Sequence, residues 1–142
     1  MSEKTKYTVA VDFDGVLHSY TSPWVNAWTI PDPPVEGAIE WLRAITLHFN
    51  VVIFSTRCKS WRGRRAMRRW IWEHDTGKKI PQSMWEDNLN GVDRLAEIKF
   101  TKAKPPCLIY LDDRAVRFEG PGTFPSRDEI HRLRPWNKGT KR

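Results

Sequence analysis

Three short apolar runs, each cut off by a polar residue, constrain this chain more than any other feature. "YTVAVDF" (7–13) breaks at Asp12, "NVVIFSTR" (50–57) at Ser55, and "PCLIYLDD" (106–113) at Asp112. Short apolar runs rich in β-branched residues and bounded by turn signals read as strands of a covered sheet. Between them the period changes. "VEGAIEWLRAITLHF" (35–49) sets Ala38, Ile39, Leu42, Ile45 and Phe49 at helical intervals after a proline stop. "SWRGRRAMRRWIWEHD" (60–75) puts Met67, Trp70, Ile71 and His74 on one helical face. "RLAEIKFT" (94–101) predicts a further short strand, and "RDEIHRLRPW" (127–136) the beginning of a short helix. Strands alternating with helices predict an α/β fold, a Rossmann-like, mostly parallel sheet with helices on both faces.

The remaining stretches are punctuation. Residues 18–34 are rich in turn formers and proline and predict a loop or small hairpin; 76–93 predict an irregular connector, and 115–126 are turn-rich. With no repeat, low-complexity block or linker, one domain is expected over 1–142, with its core at about 7–134 and a basic tail at about 135–142. Hydrophobic residues at 39% and charged ones at 29% are a globular balance, not a disordered one. No apolar run approaches the roughly 18 residues that a membrane helix needs, and the first residues lack the pattern of a signal peptide. Cys58 and Cys107 suggest no disulfide framework. These points lead to the expectation of a cytoplasmic protein with no membrane partner.

In open parallel sheets ligands bind beyond the carboxyl ends of the strands. Asp12, Ser55 and Asp112 should therefore meet in one crevice, with Asp14 and Asp113 close by. Carboxylates crowded in this way resist joint ionisation unless a cation joins them. A hard divalent ion with oxygen ligands answers that need, and Mg²⁺ suits a site that handles phosphate. A hydroxyl and a lysine could then hold phosphoryl oxygens while an aspartate attacks phosphorus. Taken singly, Asp-Gly is a common turn, "STR" a helix cap and "DDR" a solvated loop. Their joint occurrence at three strand ends favours chemistry.

The order Asp-x-Asp-Gly, Ser, Lys, Asp-Asp over residues 7–118 resembles the phosphatases of the haloacid dehalogenase (HAD) superfamily, especially members with small or absent caps akin to deoxyribonucleotidases and polynucleotide phosphatases. The resemblance implies Asp12 as nucleophile, forming an aspartyl-phosphate, and Asp14 as the general acid and later the base. It implies Mg²⁺ held by Asp12, by Asp14 through its backbone carbonyl, and by Asp112 with Asp113. Ser55 and Thr56 would contact the phosphate. Lys102, ten residues before Asp112, is preferred over Lys104 as the cation that counters the nucleophile and the phosphate; Lys99 would point differently. The implied activity is hydrolysis of a phosphomonoester.

Substrate is where the residues speak more generally. A formal charge of +7 favours an anionic partner, a nucleotide or nucleic acid. The segments on either side of Ser55 are too short for a folded cap, so the site should admit an extended substrate or be closed by a second subunit in a homo-oligomer. Arg57, beside Ser55, is the local candidate to grip a further phosphate. Arg62, Arg65 and Arg69 lie away from the Met67–Ile71 stripe, as a solvated basic face or as a phosphate track. Trp24 and Trp28 stand in the loop expected to overhang the site, to stack a base or simply to pack, as most of the eight tryptophans should. His18 could contact substrate, and Arg114 and Arg117 could pair with acidic neighbours. A nucleic-acid-binding module with a vestigial site, and a phosphotransferase of the same fold, remain alternatives.

Overall fold

The computed structural model describes residues 7–79, 94–134 and 136. Most of the connector expected at 76–93 and nearly all of the basic tail lie outside the described residues. Four strands, β1 (Thr8–Val11), β2 (Asn50–Phe54), β3 (Lys99–Thr101) and β4 (Ile109–Leu111), form an all-parallel sheet in the order β3-β2-β1-β4. Helices α1 (Ala38–Ile45) and α2 (Trp61–Thr76) make the crossovers from β1 to β2 and from β2 to β3, and α3 (Arg127–Arg132) follows β4. The α/β class expected from the alternating periods is present.

Both long crossovers step the same way across the sheet, so a right-handed path lays α1 and α2 on one face. The core lies there: Val9, Val11, Val51 and Ile53 pack under Ile39, Leu42, Met67, Trp70 and Ile71. Asp75 near the end of α2 takes a forked contact from Arg43 of α1. The expectation of helices on both faces is not met among the described residues. From β3 the chain returns to β4 through the irregular segment 102–108, which is too short for a helix. Tyr110, which in register lies beside Ala10 and away from Val9 and Val11, donates its hydroxyl proton to the Pro105 carbonyl of that segment. The α3 helix opens with a Ser126–Glu129 capping box and buries no residue. All three residues of β4 are accordingly exposed.

The element ends differ from the sequence periods for local reasons. Gly37 adopts a left-handed conformation (φ 85°) and starts α1 at Ala38, and Thr46 stops it by turning its hydroxyl back to the Leu42 carbonyl. The strand expected at 94–101 begins as a 3₁₀ turn (Arg94–Glu97), because Leu95 and Ile98, three apart, both turn into the core. His74 does not join the buried stripe: it is exposed, its ring against Trp70. Among the described residues no helix is long and apolar enough to cross a membrane.

Candidate active site

Parallel pairing in register brings the carboxyl ends of β1, β2 and β4 to one edge of the sheet, and the polar residues that ended each apolar run meet there. The Asp12 amide donates to the Leu111 carbonyl (2.9 Å), which ties the nucleophile candidate to the strand that delivers Asp112 and Asp113. Carboxylate oxygens of Asp12, Asp112 and Asp113 all fall within 4.8 Å of one another. Asp12 Oδ1 accepts the Phe13 amide (2.8 Å), and Asp112 Oδ1 accepts the Arg114 amide (2.8 Å). Asp113 Oδ1 is buried with no hydrogen-bond partner. Burial, then the charge of Asp112, pushes the Asp12 carboxyl up to about 7, and burial also raises Asp113. Such a cluster is under electrostatic stress that either a proton or a cation relieves.

Gly15 is the hinge of this arrangement. Its φ of 86° is one that side chains resist, and a Cβ at this position would overlap the Asp113 carboxylate. The glycine after Asp14 thus makes room for the acidic pair as well as for the turn. The indole of Trp136 donates to the Gly15 carbonyl (2.6 Å), so the same turn is held from the chain's far end.

Asp12, Asp14, Ser55, Thr56, Lys102 and Asp112 all line one cavity of about 530 Å³. Ser55 Oγ accepts the Arg57 amide (3.1 Å), leaving its own proton to donate. Lys102 belongs to this lining and Lys104 does not: its ammonium lies over the Tyr110 ring (4.8 Å). Tyr20, Trp24, Phe54, Lys59 and Arg114 complete the wall. Of these, Tyr20, Phe54 and Lys59 carried no sequence signal of their own. Tyr20 is the only described non-glycine residue with positive φ (55°), a backbone setting that tends to mark functional loops.

One expectation, a substrate grip for Arg57, needs correction, and the reason begins with Asp14. The Asp14 carboxylate stands apart from the three-carboxylate cluster: it accepts from Arg57 Nε (3.0 and 2.8 Å) and from His18 Nδ1 (2.8 Å). Burial pushes its carboxyl upward, but the hydrogen bonds from His18 and Arg57 outweigh that and hold it below its ordinary value. Any part of Asp14 in holding a metal therefore falls to its backbone carbonyl, as the resemblance implies. Arg57, expected to grip substrate, is only 1% exposed. Its Nη1 serves the carbonyls of Asn26, Ala27 and Thr29 (3.0, 3.0 and 3.1 Å), so it fastens the overhanging loop to Asp14. His18, fully buried, does the same from below. The Asp32 amide donates to its Nε2 (3.0 Å), which leaves the proton on Nδ1 facing Asp14.

No family model matches this sequence, and no curated protein or solved structure matches it either.

Proposed function

We propose that this chain is a Mg²⁺-dependent phosphomonoester hydrolase of the haloacid dehalogenase type, acting on a nucleotide or on the phosphorylated end of a nucleic acid. The observation that carries the reading is the Asp12–Asp112–Asp113 cluster, whose first two members line the same cavity as Ser55 and Lys102. The donor set fits the ion: hard carboxylate oxygens only, one of them buried and unpartnered. Bound there, Mg²⁺ would offset charge on the phosphoryl oxygens.

The Phe13 amide orients Asp12 through Oδ1, and the other carboxylate oxygen is the one to attack phosphorus. The new Asp12–phosphorus bond forms as the ester oxygen leaves with a proton from Asp14. Asp14 then takes a proton from water, which attacks the aspartyl-phosphate and frees inorganic phosphate and the Asp12 carboxylate. To gain its proton Asp14 must leave Arg57, so the cycle includes a rotation of that side chain. Ser55 and Lys102 hold the phosphoryl oxygens throughout.

The test is phosphate release from p-nitrophenyl phosphate, mononucleotides and 5′- or 3′-phosphorylated oligonucleotides, with Mg²⁺ or EDTA. Turnover should need Mg²⁺ and vanish in Asp12→Asn while circular dichroism stays unchanged. Near-normal activity in Asp12→Asn, or no turnover of any substrate, would overturn the reading. Oligonucleotide binding without turnover would favour the binding module, the alternative supported by the arginine-rich surface of α2.

A further inference from the structure

Most large aromatics in a domain of this size pack inside, yet of the described tryptophans Trp24, Trp28, Trp61 and Trp136 are exposed. Three of these share one region and one kind of partner. Arg57 lies over the Trp24 ring (4.6 Å), Arg62 over Trp28 (4.0 Å) and Arg65 over Trp61 (5.3 Å). Trp24 and Trp28 belong to the loop beside the cavity, Arg57 to the 3₁₀ turn Thr56–Lys59, and Trp61, Arg62 and Arg65 to the first turns of α2. The loop and α2 are joined at Gly63, where a Cβ would reach Ala27 Cβ at 3.2 Å and overlap the Arg57 carbonyl. Each guanidinium lies against its indole, yet Trp24, Trp28 and Trp61 stay 48%, 37% and 59% exposed, which leaves flat apolar surface open.

Charge along the first turns of α2 is one-sided in sequence, although Arg57 is spent on Asp14 and carboxylates return at Glu73 and Asp75. Residues 56–72 contain seven arginines and lysines and no carboxylate. A merely solvated helix face gains from mixed signs at i, i+4 spacing, and cations near a helix start oppose its dipole. Stability alone therefore does not account for the pattern. Alternating indoles and guanidiniums suit a ligand with alternating flat rings and phosphates, in which bases stack and the backbone follows the cations. Trp24 and Lys59 also line the cavity, so the track runs into the phosphate site. A duplex buries its own base faces and could not stack them on the tryptophans.

We propose that Trp24, Trp28 and Trp61, with Arg62 and Arg65, form a binding track for single-stranded nucleic acid that delivers a phosphorylated strand end to the cavity. The delivery half rests on the hydrolase reading; the binding half does not.

The test uses the full chain carrying Asp12→Asn, so that affinity is read without turnover. Fluorescence anisotropy would follow a labelled single strand of about ten nucleotides, its duplex, an abasic strand of equal length and a mononucleotide, each across a salt series. The single strand should bind at least about tenfold more tightly than the duplex or the abasic strand. Trp28→Ala and Trp61→Ala, both at exposed positions, should each weaken it by about 5- to 100-fold. Arg65→Ala should reduce the slope of log affinity against log salt by about 0.7. Equal binding of single, duplex and abasic strands, or unchanged affinity in both tryptophan variants, would overturn the proposal. If phosphate release from mononucleotides persists while strand binding fails, the track falls and the hydrolase stands. Tight, tryptophan-dependent strand binding with no phosphate release in the unsubstituted protein would uphold the track and refute the hydrolase.

Discussion

Replacing Arg57 with alanine separates two roles that its place beside Ser55 could imply. A substrate contact would cost affinity; a buried clasp would cost stability. The side chain is 1% exposed, its Nε pairs with Asp14, and its Nη1 serves three loop carbonyls. Breaking a buried ion pair costs about 3–5 kcal/mol. Asp14 keeps His18 and is 15% exposed, which argues for about 3 kcal/mol from this source. The abandoned carbonyls share one nitrogen and add about 1 kcal/mol. A loss near 4 kcal/mol should lower the melting temperature of a chain this long by about 12 °C. Thermal and urea unfolding followed by circular dichroism would read it. Arg57→Lys keeps the charge but not the planar fork, and should recover only part of the loss. Because the folded Asp14 carboxyl lies below the ordinary 3.8, its pairing stabilises the protein fully above that value and is lost as pH falls through the folded one. Arg57→Ala should therefore shed part of the acid sensitivity. A shift under about 3 °C, together with weakened substrate binding, would refute the clasp.

The Asp12 carboxyl, at about 7, binds its proton more tightly folded than unfolded, so without metal the fold loses stability as pH rises from about 4 through 7. A divalent ion competes with that proton, so the gain in melting temperature on adding Mg²⁺ should grow between pH 5.5 and 8; a constant gain would count against Asp12 as a ligand. Lys102→Ala should lower kcat strongly and Lys104→Ala little, because only Lys102 lines the cavity; equal losses in steady-state kinetics would refute that division. Gly15→Ala should unfold at lower temperature and bind Mg²⁺ more weakly by calorimetry, since its Cβ would overlap Asp113 in a backbone setting that resists side chains. Unchanged Mg²⁺ binding would show that Asp113 can move without consequence.

Period and punctuation alone determined a good deal here. Apolar runs ending at Asp12, Ser55 and Asp112, with helical spacing between, predict parallel strands whose polar ends share an edge, because an apolar run stops where its side chains become polar. That logic is local, and it reached the Asp12–Asp112 approach; the preference for Lys102, which lines the cavity, came from the family resemblance instead. Local logic could not reach the partners of a long side chain. Arg57 reads as a ligand contact by its neighbours in sequence, yet its fate depends on carbonyls some thirty positions earlier and on Asp14, brought close only by packing. The same holds for Asp14, whose carboxylate is claimed by His18 and Arg57 rather than by the acidic cluster, and for the packing, among the described residues, of α1 and α2 together over one face of the sheet. The tryptophans make the point from the other side. Composition predicted core, whereas the tertiary structure left Trp24, Trp28 and Trp61 outside, each against an arginine, because the small space under α1 and α2 is already filled by Trp70 and its aliphatic neighbours.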